Sequence, residues 1–325
     1  MTAIGFHASH EQVHPSRLLE AAQLAEEVGF TAAMCSDHFS PWSERQGHSA
    51  FAWSWLGAAL QGTGLPFGVV NAPGQRYHPA IIAQAAATLT AMYPGRFWVA
   101  LGTGEASNEH ITGGGWPRKD LRNARLCECV DILRALFAGE EVSHDGLVTV
   151  DRARLWTRPD VPPPLIAAAV SPQTAEWAAG WADGLATVLQ PIDTLREVVH
   201  AYRGAGGAGP LVLQVHLSYA ADDATALQLA HDQWRTNVFA PPVCWDLDHV
   251  ALFDEAAKHV PPEAMHGVVL VSSDTDRHVG WLQELAGLGF DEIYLHHVGQ
   301  EQREWLEVFG EHVLPKLDVT ARVAP

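Results

Sequence analysis

The sequence predicts an α/β fold, a (β/α)8 TIM barrel with an insertion before the last strand. Three observations carry that expectation. Short apolar, β-rich runs alternate with longer helical patterns eight times along 325 residues. Carboxylates, imidazoles and glycines collect just past the ends of those runs, where a parallel barrel gathers its functional loops. The length also suits one barrel of roughly 250 residues with additions. An open doubly wound sheet is the alternative that the same alternation allows.

Taken in order, Ala3–Ala8 reads as the first strand and Pro15–Val28 as a helix, with Leu and Ala on one face and a proline where the first turn tolerates it. A strand at Thr31–Ser36, a helix at Ala50–Leu60, a strand at Phe67–Val70 and a helix at Pro79–Met92 follow. Arg96–Leu101 is the fourth strand, and a long helix lies within Arg118–Phe137. Residues 139–164 are Pro-rich and read as irregular. Four more strands are expected at Leu165–Ala169, Gly184–Leu189, Leu211–Tyr219 and Glu292–His297, with helices between them and one at Gln302–Val313. Residues 237–271 break the period, with Pro241-Pro242, Pro261-Pro262 and an extra apolar run at Gly267–Ser272. They read as the insertion, within a single domain over 1–325.

Composition narrows the function classes. Lys and Arg number 20 against 38 Asp and Glu, a formal charge of −18, so no basic footprint is available to meet nucleic acid or an anionic membrane. Hydrophobic residues make up 47%, enough for a packed core. No apolar run reaches about 18 residues, and the start lacks a basic n-region, so a cytoplasmic location is expected. Cys35, Cys127, Cys129 and Cys244 form no CxxC or zinc spacing and read as free thiols of a reducing compartment.

The predicted strand ends hold the candidate chemistry. They deliver Ser9-His10-Glu11, Ser36-Asp37-His38-Phe39, Val69-Val70-Asn71, Gly102-Thr103-Gly104-Glu105, Ala169-Val170-Ser171-Pro172 and His296-His297 to one rim. His38 is the sharpest candidate, because an imidazole beside Asp37 can carry a proton near neutral pH. Trp42 could wall a reacting group or simply pack. Glu11 and Glu105 could form a proton donor and acceptor pair if burial separates their pKa values, or could be solvated loop carboxylates. Gly102-Thr103-Gly104 lets backbone approach a ligand, though without GxGxxG spacing. Ser171-Pro172 opens a helix expected at Gln173–Trp181, as a phosphate site or a plain cap. His296-His297 lacks HxH or HExxH spacing, so no metal site is expected.

Together these residues resemble the bacterial-luciferase-like superfamily of flavin- and deazaflavin-dependent oxidoreductases. The likeness is nearest to the branch containing deazaflavin-dependent glucose-6-phosphate dehydrogenase. It is carried by Ser36-Asp37-His38-Phe39 with Pro41-Trp42, Gly47-His48, Arg76-Tyr77-His78-Pro79, Tyr93-Pro94-Gly95-Arg96, Gly102-Thr103-Gly104-Glu105 with Asn108-Glu109, and Gln302-Arg303 to Leu314-Pro315. It covers most of the chain and fades between Gln190 and His266. The resemblance implies a barrel holding a flavin-type ring at its rim. His38 would be the catalytic acid or base, with Trp42 stabilising the reacting intermediate. Glu11 would assist proton transfer, and Glu105 would protonate the reduced cofactor. Asp37, Val69, Val70, Thr103, Gly104, Asn108, Ala169, Val170 and Ser171 would line the cofactor, which is FMN or the deazaflavin coenzyme F420. A cis peptide is implied at Val69-Val70.

Two departures bear on the substrate and the cofactor. Val188-Leu189-Gln190-Pro191 and Ala264-Met265-His266-Gly267 offer no Lys or Arg to a sugar phosphate, so glucose 6-phosphate is not expected as substrate. The relatives' glycine pair near the fifth strand is replaced by Ala169-Val170. It resembles, too, a subgroup described as non-deazaflavin flavinoid oxidoreductases, which points to FMN. The expected function is an oxidoreductase moving a hydride to or from a small organic substrate, as a homodimer. The alternatives are an FMN-dependent monooxygenase, a metal-dependent barrel hydrolase and a catalytically silent flavin-binding protein.

Overall fold

The computed structural model describes residues 2–317. Its strands are β1 (Ala3–Ala8), β2 (Ala32–Ser36), β3 (Phe67–Asn71), β4 (Phe97–Leu101), β5 (Val142–Asp145), β6 (Thr149–Ala153), β7 (Leu165–Ala168), β8 (Gly184–Val188), β9 (Leu211–Ser218), β10 (Leu270–Val271) and β11 (Glu292–His297). Eight of them close a parallel ring in the order β1, β2, β3, β4, β7, β8, β9, β11 and back to β1. The barrel therefore stands, and the open-sheet alternative does not. β10 lies outside the ring, paired with the end of β9 through Leu270↔Leu217 and Val271↔Ser218.

Strand alternation splits the apolar residues into two layers. Outward side chains such as Phe6, Phe67, Val99, Leu213 and Leu295 pack under the helices. Inward ones, including Met34, Trp98, Ile166, Val212 and Tyr294, fill the barrel. Two glycines make room for the interior aromatics: a Cβ at Gly68 would sit 2.0 Å from the Trp98 ring, and one at Gly5 2.3 Å from that of Tyr294. Helix starts follow their local chemistry. His14 precedes Pro15 and accepts from the Ser16 amide, while His78 precedes Pro79 and accepts from that of Ala80.

Three expectations need correction. Residues 139–164 are not wholly irregular, because β5 and β6 form an antiparallel hairpin. Its mostly polar residues mask the alternation; Val148 and Val150 face inward, and Glu128 on the helix Lys119–Ala138 takes the amides of Leu147 and Val148 at 2.8 and 3.2 Å. The peptide between Val69 and Val70 is not cis; the cis peptide among the described residues is Pro241-Pro242. Val69 and Val70 keep unbroken register with Cys35 and Ser36 on one side and Val99 and Ala100 on the other. The helix after Ser171 spans Pro172–Ala178, shorter than Gln173–Trp181. Between β9 and β10, the aperiodic segment carries short helical turns, including Val243–Asp246 and Val250–Ala256.

Candidate active site

At the carboxyl ends of the strands lies a cavity of about 710 Å³. The loop after β2 brings His38 to it, the loop after β1 brings Glu11 and the loop after β4 brings Glu105. His38 Nδ1 lies 2.6 Å from Glu11 Oε1, and its Nε2 lies 3.7 Å from Glu105 Oε2. Glu11 also accepts from Ser36 Oγ at 2.6 Å and Ser9 Oγ at 2.8 Å, so its oxygens are held from three directions. Trp42 stands edge-on to His38, with 5.3 Å between ring centroids, and leans in turn on Phe253 at 5.4 Å.

The electrostatics give these groups separate protonation states. Burial works against a charged His38, but Glu11, by charge and hydrogen bond, and then Glu105 raise its pKa to about 9. For Glu11, burial alone would raise the carboxyl; the His38 charge and the bonds from His38 and Ser36 outweigh it and hold the group well below the usual range. Glu105 moves the other way. Burial raises it, the Glu11 and Glu109 charges add to that, and His38 offsets only part. An imidazolium clamped to a carboxylate thus faces a second carboxyl whose proton is held more tightly than usual.

A second network fixes the loop that carries His38. Asn108 Oδ1 accepts from the amides of Phe39 and Ser40 at 2.8 and 3.1 Å, and its Nδ2 donates to Glu105 Oε2 at 3.1 Å. The Asp37 carboxylate accepts from Trp53 Nε1, Asn71 Nδ2 and Tyr77 Oη at 3.1, 2.8 and 3.1 Å. Arg76 lies between Asp37 and Glu109 at 3.7 and 3.5 Å. Gly104 takes φ +77, and a Cβ there would approach Glu109 Cγ to 2.9 Å. Asp37 and Asn108 therefore act chiefly on the protein's own framework, holding His38 and Glu105 in place.

The sequence-derived residues converge with one exception. Glu11, Asp37, His38, Trp42, Val70, Thr103, Gly104, Glu105, Asn108, Ala169, Val170 and Ser171 all line the cavity. Val69 does not, because adjacent strand residues face opposite ways and it packs under the helices. Ser171 Oγ caps its helix by accepting from the Thr174 amide. His296 turns inward while His297 packs near Trp305, with ring centroids 5.5 Å apart. Sequence reasoning missed Lys119, Arg122, His7, Gln214, His216, Trp234, Phe239, Cys244 and Trp245, which also line the cavity. Strand parity would have found His7, Gln214 and His216. Phe239, Cys244 and Trp245 come from the aperiodic segment, where no repeating pattern marks the facing side.

The cavity fits a flavin-type group by its own atoms. Its lining is largely apolar strand and loop surface, and it carries buried polar atoms with no hydrogen-bond partner among the described residues, including Asn71 Oδ1 and both ring nitrogens of His7. Lys119 Nζ sits 3.1 Å from Thr174 Oγ1, so one edge near Ser171 is cationic.

The model of the luciferase-like monooxygenase family matches residues 1–292. The chain is 36% identical over 328 residues to the F420-dependent glucose-6-phosphate dehydrogenase of Kribbella flavida, covering 97% of this chain and 98% of that one. It is 34% identical over 335 residues to the enzyme of the same name from Microbacterium testaceum, with 96% of each covered. Among solved structures, an F420-dependent secondary alcohol dehydrogenase in complex with an F420-acetone adduct superposes with a TM-score of 0.90 at 30% identity, over 99% of both chains.

Proposed function

Because the chain belongs to the luciferase-like monooxygenase family and is an oxidoreductase, we propose that it uses the deazaflavin coenzyme F420 to interconvert a small uncharged alcohol and its carbonyl product. The observation that carries this reading is His38 between Glu11 at 2.6 Å and Glu105 at 3.7 Å, at the mouth of a cavity walled by Trp42, Trp234 and Trp245. The choice of cofactor rests on relatives at 30–36% identity that are named for F420.

When bound, the deazaflavin ring supplies the hydride acceptor or donor. The chain's residues manage the protons. His38, through Nε2, takes the substrate hydroxyl proton in oxidation and returns it in reduction. Glu11 remains a carboxylate and holds the imidazole by Nδ1, fixing which nitrogen faces the substrate. Glu105, its pKa raised chiefly by burial, holds a proton more readily than a free carboxyl and would be the group to pass one to the ring side of the cavity. Trp42, Phe239 and Trp245 keep water from the reacting carbon and favour an apolar substrate body.

On this reading glucose 6-phosphate, for which the Kribbella flavida and Microbacterium testaceum enzymes are named, is not the substrate. Residues 188–191 and 264–267 bring no cation, and Arg76 lies between Asp37 and Glu109. Lys119 and Arg122 are the other Lys and Arg side chains that line the cavity among the described residues. Their nearness to Thr174 and Trp116 suits them to the cofactor's phosphate tail. A second reading, an FMN-dependent enzyme that uses oxygen, follows from the description of the family itself.

Thermal unfolding of the stripped protein with each cofactor separates the two. A ligand at a hundred times its Kd stabilises by about 2.7 kcal/mol, which raises Tm by several degrees. A rise with F420 and oxidation of a secondary alcohol without oxygen uptake supports the first reading. A rise with FMN alone overturns it.

A further inference from the structure

Beside the His38–Glu11 pair, β1, β9 and β11 turn three more imidazoles into the same cavity: His7, His216 and His296. The His7 and His296 rings stack at 4.6 Å, and His216 stands edge-on to His296 at 5.4 Å. Their hydrogens can be assigned from one end of a chain of bonds. The Gln12 amide donates to the Val298 carbonyl, so its oxygen accepts from His296 Nε2 at 2.6 Å. His296 Nδ1 is then an acceptor and receives the Gln214 amide at 3.4 Å. The same amide donates to His216 Nε2 at 3.2 Å, which leaves the His216 hydrogen on Nδ1.

His7 differs from the others. It is 2% exposed, lines the cavity, and neither ring nitrogen has a partner among the described residues. A buried polar group in that state calls for a ligand or water. Burial holds His7 neutral, with its pKa lowered to about 3, and does the same to His216, lowered to about 4. A neutral imidazole offers one donor and one acceptor, the pattern of a hydroxyl. A neutral ring supplies no charge to offset a buried anion or ammonium, so an uncharged group is favoured there. His7, Glu11 and His38 line one cavity, so the unpartnered ring shares the space in which a substrate of His38 would sit. Stacked rings cannot aim at one ion, and among the described residues no group of side chains is arranged to hold a metal.

We propose that His7 and His216 form a subsite for a second uncharged hydroxyl or carbonyl of the substrate, next to the oxygen handled by His38. The preferred substrates are then vicinal hydroxy alcohols and hydroxy ketones over their monofunctional analogues. The inference rests on the hydride-transfer reading and adds the substrate class to it.

The test compares 2,3-butanediol with 2-butanol, and acetoin with 2-butanone, in the wild type and in His7→Phe. Phenylalanine keeps the stack on His296 and removes both nitrogens, so the fold should be unharmed; a melting curve checks this, and His7→Gln serves as a second variant. The wild type should favour the bifunctional member in kcat/KM, and His7→Phe should erase about tenfold of that preference, as loss of one buried hydrogen bond does. Coenzyme affinity should not change. In parallel, histidine-ring NMR of the stripped protein should show the His7 signals moving with acetoin and not with 2-butanone. Equal effects on both substrates, or a tenfold loss of coenzyme affinity with unchanged preference, overturn the subsite. If acetoin moves His7 but no alcohol or ketone turns over, the hydride-transfer reading fails and the subsite stands. A silent NMR titration with normal turnover of both pairs fails the subsite alone.

Discussion

Replacing Glu11 by Gln removes the anion 2.6 Å from His38 Nδ1 while keeping the side chain's size. If the Gln oxygen keeps the bond from Ser9, its NH2 takes the place of the oxygen that meets both Ser36 and His38, which favours the neutral ring. In the wild type the imidazole rises from the ordinary 6.5 to about 9, with Glu11 the largest cause raising it and Glu105 the next. That difference of about 2.5 units corresponds to about 3 kcal/mol favouring the charged form. Without Glu11, burial, the largest single cause and one that lowers, returns His38 to about 6.5 or below. Carbonyl reduction needs the imidazolium. At pH 8 it is about 90% populated with a pKa near 9 and about 3% with one near 6.5, so the variant should lose about 30-fold in reduction at that pH. Alcohol oxidation needs the neutral ring, so its rising limb should move from near pH 9 to near pH 6.5 or lower. The assay is kcat against pH in both directions, with the His38 ring titrated by NMR. A limb that stays near 9 in Glu11→Gln would refute the clamp.

Three further outcomes are expected. His7, His10, His216 and His297 have pKa values lowered to about 3, 4, 4 and 3 by burial, so the unfolded chain takes up protons below pH 6.5 that the native state refuses. Stability should therefore fall with falling pH by about 5 kcal/mol per unit below pH 6, read from urea midpoints; a flat profile between pH 6 and 5 contradicts it. Asn108→Ala strands two loop amides and should cost about 2–4 kcal/mol by chemical denaturation, whereas Asn108→Asp keeps their acceptor but sets a carboxylate against Glu105, so its cost should shrink as the pH is lowered while that of Asn108→Ala should not. Lys119→Ala and Arg122→Ala should each weaken F420 by about tenfold yet leave a deazaflavin without its phosphate tail unaffected, as calorimetry can measure.

Much of the barrel is legible in the sequence because eight inward and outward alternations repeat at helix-separated intervals. Pro79–Met92 and Glu292–His297 match the structure residue for residue, since Pro79 and the charged end at Glu292 mark their boundaries. The hairpin at 142–153 escaped because a two-stranded ribbon on one helix buries only a few apolar residues. The site divides in the same way. His38, Glu11 and Glu105 stand just past apolar runs and could be read. Lys119 and Arg122 sit in the first turn of a helix whose later residues, such as Leu126, Val130 and Leu133, pack into the core, and their approach to Thr174 and Trp116 is a tertiary fact. His7 and His216 lie within the runs themselves, where a polar inward residue reads as a flaw in a strand until parity places it inside the barrel.

Single-turnover mixing of F420-loaded enzyme with a secondary alcohol, in the wild type and in His38→Ala, tests the central claim most directly. The account predicts that both proteins bind the coenzyme with the same Kd, and that the loss of its visible absorbance slows by about 10²–10⁴-fold in the variant with little change in Tm. Equal rates in the two proteins would contradict it.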